Sequence, residues 1–191
     1  MSRPSVLAFS GSLRQGSLNQ KLVKLAARGA AKSGADVRVI DLADFLLPIF
    51  DEDVESRGTP AEAVSLKAMM KAADGMLIAS PEYNSSLSGA LKNAVDWASR
   101  KAEGESALEA FSGKAVAVMA ASPSPVGGLR GLMHLRQILS HIQMHVLPGQ
   151  MTLCHADEAF DDAGELKDPK LGANAEKLGR TLAEYLKRHP S

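Results

Sequence analysis

The 191-residue chain lacks most of the features by which function classes announce themselves. It has one cysteine, Cys154, so no intrachain disulfide can form, and a reducing compartment is the expectation. Basic and acidic residues balance at 22 each, so no excess of one sign marks a nucleic-acid surface or a membrane patch. No apolar run is long enough to span a bilayer. The apolar stretch in MSRPSVLAFSG is too short for a signal-peptide core. There is no repeat and no low-complexity tract. These absences imply a cytoplasmic protein with no nucleic-acid and no membrane partner.

What is present is alternation. Val6 to Phe9 is an unbroken apolar run, as in a strand buried on both faces. Leu18, Leu22, Leu25, Ala26 and Gly29 then follow helical spacing, for a helix from about Ser17 to Gly34. DVRVIDL alternates like an edge strand. FLLPIFDEDVESRGTP reads as a long acidic loop, and Pro60 can open a helix to about Ala73. GMLIAS is a second buried strand, after which Leu87, Leu91, Ala94, Val95 and Ala98 repeat the helical spacing. Arg100 to Ser112 reads as a surface loop with a helical turn. KAVAVMAAS is a third buried strand, followed by a helix carrying Leu132, Leu135, Ile138, Leu139 and Ile142. HVLPGQMTL is strand-like, with Pro148 pointing to an edge position. Leu171, Ala175, Leu178, Leu182 and Leu186 mark a last helix.

Strands alternating with helices imply an α/β fold with a parallel sheet and right-handed crossovers. The buried strands are the first, third and fourth; the second and fifth read as edges. The flavodoxin-like order 2-1-3-4-5 puts those two at the edges, whereas the dinucleotide order 3-2-1-4-5-6 buries the second. The expectation is one flavodoxin-like domain over residues 1–191. Its ligand crevice lies beyond the carboxyl ends of the strands, where the three Gly/Ser-rich loops after strands one, three and four converge.

The first of these loops, FSGSLRQGSLNQKL, is richer than a turn requires. A helix N-terminus offers free amides and partial positive charge. Ser10, Ser12 and Ser17 add hydroxyls, Asn19 an amide and Arg14 a permanent cation, a set suited to a terminal phosphate monoester. Gly11 and Gly16 have Walker spacing, but Ser17 stands where that motif needs lysine. The dinucleotide fingerprint G-x-G-x-x-G is absent. A plain capped turn, with Ser17 as N-cap and Arg14 in solvent, is the competing reading. In the second loop, Pro81 to Asn84 could meet a polar heterocycle through backbone amides around Glu82 to Ser85, with Tyr83 offering a flat face. The competing reading makes Glu82 a solvated loop acid. The third loop, Ser122 to Gly128, has the composition for close backbone approach to a planar ligand.

Together the motifs resemble the NAD(P)H-dependent FMN reductases of flavodoxin-like fold, the group with bacterial quinone, azo-dye and chromate reductases. GSLRQGSLN is similar to the family's phosphate loop, PEYNSSLSGALKNAVDW to its long signature, and GGLRGLMHLRQIL to a third segment. The likeness spans nearly the whole chain. It implies FMN, with Ser10, Ser12, Arg14, Ser17, Leu18 and Asn19 around the phosphate. Pro81, Glu82, Tyr83, Asn84 and Ser85 would line the isoalloxazine, with Ser122, Gly127 and Gly128 nearby. Many members carry an aromatic where this chain has Ser85. Lys92, Asn93, Asp96 and Trp97 read as scaffold. The resemblance implies ping-pong transfer from NADH or NADPH to a small-molecule acceptor, with no side chain as nucleophile or metal ligand. A flavodoxin-type electron carrier is the alternative, and a flavin-free module on the same fold another. The neutral charge and the 4% aromatic content favour the enzyme.

His134, His141 and His145, read as sharing one helix, lack the carboxylate or cysteine that would complete a metal set. Cys154 shows no sign of activation. The small residues of the three loops leave a flavin ring thinly covered by one chain. Met133 and Met144 fall outside the core stripe of their helix, so a homodimer or homotetramer with the flavin near the subunit boundary is expected.

Overall fold

The computed structural model describes residues 3–189. The three unbroken apolar runs become β1 (Ser5–Ser10), β3 (Gly75–Ala79) and β6 (Ala115–Ala121), the interior of a five-stranded parallel sheet. Edge strands β2 (Asp36–Val39) and β7 (His145–Leu153) complete the order β2-β1-β3-β6-β7. A two-residue hairpin, β4 (Glu82–Tyr83) with β5 (Ser86–Leu87), stands apart. Without it, the main sheet has the flavodoxin-like order 2-1-3-4-5.

Alternate residues of the buried strands serve opposite faces. Val6, Ala8, Leu77, Ala79, Ala115, Ala117 and Met119 face α1 (Leu18–Lys32) and α7 (Pro169–Arg188). Leu7, Phe9, Met76, Ile78, Val116, Val118 and Ala120 face the other layer. That layer holds α3 (Ala61–Ala72), α4 (Gly89–Ser99) and α5 (Leu129–His141). Where β6 passes the single residue Ala117, β7 passes Leu147, Pro148 and Gly149, so the donorless proline sits in a bulge on an edge strand.

Several local expectations need correction. The acidic segment is not all loop. Asp41 caps a 3-10 turn at Leu42–Asp44, and Asp51 caps the short α2 (Glu52–Ser56). Leu87 lies in the hairpin rather than on α4. The Arg100–Ser112 segment does carry a helical turn, closed by the Ser112 amide on the Leu108 carbonyl at 2.8 Å, but it is not only surface, because Ala110 and Phe111 are fully buried. α5 ends at His141 and His145 opens β7, so these two histidines share no helix face. Met144 is buried in the core; Met133 is not. A four-residue helix, α6 (Ala156–Ala159), follows β7.

The 100–112 segment is pinned by charge. Glu105 accepts from Lys67 Nζ, from Lys71 Nζ at 2.8 Å and from the Ala102 amide at 3.1 Å. The lysine hydrogen bonds, Lys67 first, hold its carboxyl down at about 2. The charged form therefore favours folding above the ordinary carboxylate pKa, and this contribution fades as pH falls from about 4.5 toward 2. Glu105→Gln is expected to melt below the wild type at pH 7, with the gap closing over that acid range in thermal unfolding.

On the opposite face, α1 and α7 cross with their backbones nearly touching. A Cβ on Gly29 would lie 2.0 Å from the Glu176 carbonyl oxygen, and one on Gly179 would lie 1.8 Å from that of Ala26. In an isolated helix alanine is favoured over glycine by about 1 kcal/mol. Here Gly179→Ala should reverse that sign and destabilise by about 1–3 kcal/mol through overpacking. The check is the midpoint of denaturant unfolding.

Candidate functional site

The first loop is organised by its own serines. Ser10 Oγ accepts from the Ser12 amide at 3.1 Å, and Ser12 Oγ accepts from the Arg14 amide at 3.3 Å. Ser17 caps α1, accepting from the Gln20 amide at 3.2 Å. Each hydroxyl is engaged as an acceptor, and its own proton stays available to donate. The leading amides of α1 have no intrahelical partner. The capped-turn reading is thus correct for Ser17 and compatible with a phosphate site.

Asn19 plays a different part from a free donor. Its Nδ2 donates to the Ala121 carbonyl at 2.8 Å, and its Oδ1 accepts from the Ala121 amide at 2.9 Å. The buried side chain thereby ties the start of α1 to the end of β6.

The second loop folds back as the β4–β5 hairpin, with Asn84 and Ser85 at φ of +50° and +64°. Positive φ at both central positions marks the hairpin turn whose twist suits paired strands. Glu82 is not a solvated acid: its side chain is 8% exposed and bonds to Arg130 and to the Gly131 amide. Tyr83 is 52% exposed.

The third loop has its two glycines for internal reasons. A Cβ at Gly127 would meet Cys154 Sγ at 2.9 Å, and one at Gly128 would meet Ala120 Cβ at 2.6 Å. Both glycines are buried, and the close approach their missing side chains permit is to the ends of β6 and β7.

The three loops meet around a recess of about 80 Å³. Ser12, Arg14, Ser17, Leu18 and Asn19 form one wall; Pro81, Glu82 and Tyr83 form the second. Ala121, Ser122 and Pro123 form the third. Ser10 is fully buried beneath, and Asn84 and Ser85 lie at the hairpin turn beyond the lining. Ala121 and Pro123 were not singled out from sequence, although Ala121 sits at the carboxyl end of a central strand, where the fold class places ligands.

Larger hollows, of about 440 and 580 Å³, lie between α3 and the 100–105 segment and along β7 and α7. The cations of the first are largely neutralised by Glu105 and Glu55. Size alone does not select the site; the small recess is where the strand-end loops converge. Arg14 lines it with no ion-pair partner among the described residues, and its one carboxylate, Glu82, is already paired. Such a donor set fits a phosphate monoester.

The scaffold residues of the long signature act where expected. Lys92 pairs with Asp96 at 2.7 Å. Asn93 Nδ2 and Trp97 Nε1 donate to the Pro48 carbonyl at 2.9 and 2.7 Å, fastening the 45–50 segment to α4. His134 Nδ1 lies 3.1 Å from Ser86 Oγ.

A family model described as NADPH-dependent FMN reductase matches residues 4–158. An NAD(P)H-dependent FMN reductase of Pseudomonas aeruginosa is 39% identical over 184 residues, covering 96% of this chain and 95% of the relative. A quinone reductase of Escherichia coli is 36% identical over 143 residues, 74% of this chain and 72% of its own. Among solved structures, FerB, a flavoenzyme NAD(P)H:acceptor oxidoreductase from Paracoccus denitrificans, superposes with a TM-score of 0.81 at 28% identity. That superposition covers 97% of this chain and 98% of FerB.

Proposed function

The chain belongs to the NADPH-dependent FMN reductase family, and on that premise we propose that the three-loop recess holds FMN, with its phosphate against the first loop. The protein is an FMN-dependent NAD(P)H oxidoreductase acting on small-molecule acceptors such as quinones and flavins. When bound, FMN would supply the redox chemistry between NAD(P)H and the acceptor.

The observation that carries the site assignment is the unpaired Arg14 guanidinium among the Ser12 and Ser17 hydroxyls and the leading amides of α1. Two negative charges on a phosphate monoester would find donors there and no competing unpaired carboxylate. Pro81, Tyr83 and the backbone from Glu82 to Ser85 form the side offered to the isoalloxazine, with Ser122 and Pro123 opposite. The third-loop glycines support that wall from beneath. The one carboxylate of the recess, Glu82, is already engaged, so the chain's part is to bind, orient and exclude. Donor and acceptor use the open side in turn, and azo dyes belong with quinones among acceptors small and flat enough to reach it. The reading extends to one FMN-binding domain over the chain and to a cytoplasmic setting. Among the described residues, no helix is long and apolar enough to cross a membrane.

The decisive experiment identifies the cofactor of the purified protein and measures NADH and NADPH oxidation with quinone, azo dye and free FMN. A protein that purifies without FMN and oxidises neither nucleotide refutes the reading. Arg14→Ala should weaken FMN by about 1.5–3 kcal/mol, the worth of charge-assisted hydrogen bonds, and leave riboflavin nearly unchanged. Titration of both flavins checks this; equal losses would remove Arg14 from the phosphate.

Assembly into a homodimer or homotetramer with the flavin near the boundary is part of the same proposal. Val126, Leu129 and Met133, the last 62% exposed, form an apolar stripe at the start of α5, the helix bonded to the β4–β5 hairpin. A second copy covering that stripe would wall the site that one chain leaves open. Met133→Glu is expected to lower both the sedimentation coefficient and the specific activity. A fully active monomer would exclude a shared site.

A further inference from the structure

α5 begins without a cap of its own. α1, α4 and α7 are each capped by the side chain of the preceding residue, Ser17, Ser88 and Asp168. At α5 that residue is Gly128, which is left-handed at φ +88° and has no side chain to offer. The missing acceptor arrives from the hairpin. Glu82 Oε2 accepts from the Gly131 amide at 3.0 Å, while Oε1 accepts from Arg130 Nε at 3.0 Å and lies 2.9 Å from Arg130 Nη2. The position suits a carboxylate, because the first turn of a helix carries partial positive charge.

The junction is tight. A Cβ on Gly131 would lie 3.0 Å from the Ser86 carbonyl oxygen and 3.3 Å from Glu82 Cβ. One turn further, His134 meets Ser86. α5 thus grips both strands of the hairpin, β4 through Glu82 and β5 through Ser86. Glu82 stands between Pro81 and Tyr83, which both line the recess. Both of its oxygens are already engaged, so its carboxylate is poorly placed to serve as a ligand.

We propose that Glu82 is a positioning residue: bound across to α5, it fixes the Pro81–Tyr83 segment so that the ring side of the recess is formed before FMN enters. The inference rests on the assignment of the recess to FMN. A hairpin ordered in advance spares the cofactor the cost of ordering it on binding. The phosphate side does not depend on this link, because the first loop is held by its own serines and by Asn19. Loss of Glu82 therefore acts on the ring, whichever flavin carries it.

The test compares Glu82→Ala, Glu82→Gln and Arg130→Met by titrating FMN and riboflavin and by recording visible circular dichroism of bound FMN. Glu82→Ala should raise the Kd of both flavins by one common factor of about 5- to 10-fold, the worth of one capping acceptor. It should also alter the dichroism of the bound ring, a signature that loss of overall stability alone would not move. Glu82→Gln, which keeps a neutral acceptor for the Gly131 amide, should fall between. Wild-type affinity for both flavins with unchanged dichroism in Glu82→Ala overturns the proposal, as does a loss confined to FMN. If Glu82→Ala does not fold, Arg130→Met decides. It removes the ion pair alone and should raise both Kd values about 2- to 3-fold; no change overturns the proposal. A wild-type chain that binds neither flavin fails the FMN assignment itself, and Glu82 falls with it. That result is distinct from a wild type that binds FMN beside a Glu82→Ala variant that binds it equally well.

Discussion

The pairing of the Asn19 side-chain amide with both backbone groups of Ala121 is the constraint on which the site depends. It joins residues 102 apart in sequence and sits where water is excluded. An amide and a carbonyl buried without partners would each cost about 1–3 kcal/mol, so the pairing is held firmly. Because Asn19 lies in the first turn of α1 and Ala121 ends β6, the bond sets the first loop against the third loop. Two further ties complete the frame. Ser88 Oγ donates to the Gly11 carbonyl at 2.5 Å, joining the first loop to α4, and Glu82 joins the hairpin to α5.

These ties require helices that come close to the sheet and to one another, and small residues permit it. Ala8, Ala79, Ala115, Ala117 and Ala121 line one face of the sheet. α1 and α7 settle on that face and meet at Gly29 and Gly179 without room for a methyl group. The dense alanine and glycine content is therefore a packing requirement that fixes where α1 begins, and with it the direction of its free amides. The other face uses larger side chains, Phe9, Leu66, Met70, Leu91 and Phe111, to support α3, α4 and α5.

Charge is spent unevenly over this frame. Arg28 bonds Glu165 and Glu176, Arg100 bonds Glu55, and Lys67 and Lys71 bond Glu105, all away from the recess. Burial lowers the pKa of Lys114, which donates to the Lys71 and Ala73 carbonyls at the end of α3. At the recess the balance differs: Arg14 has no ionic partner among the described residues, and the carboxylate is already satisfied. In a neutral protein, Arg14 thus stands without an ionic partner at the proposed phosphate site.

Much of this was legible in the sequence. Unbroken apolar runs distinguished buried strands from alternating edges, and that contrast determined the strand order. Ser12, Arg14 and Ser17 in one strand-to-helix loop supplied the donors on which the proposed phosphate site rests. The family motifs named the cofactor. Tertiary structure alone decided which polar residues remain free. Asn19 and Glu82 look like ligands in the sequence, yet Asn19 is bonded to both backbone groups of Ala121, and Glu82 to the Gly131 amide and the Arg130 guanidinium. Gly127 and Gly128 look like a ligand-facing turn, yet they serve contacts with Ala120 and Cys154. Met144 looked like a surface residue and is buried, because α5 stops at His141 and the chain turns back into β7. The physical reason is the same throughout. Spacing along a chain reports local periodicity and the donors a loop carries, whereas the partner that occupies each donor comes from contacts made only when the sheet closes.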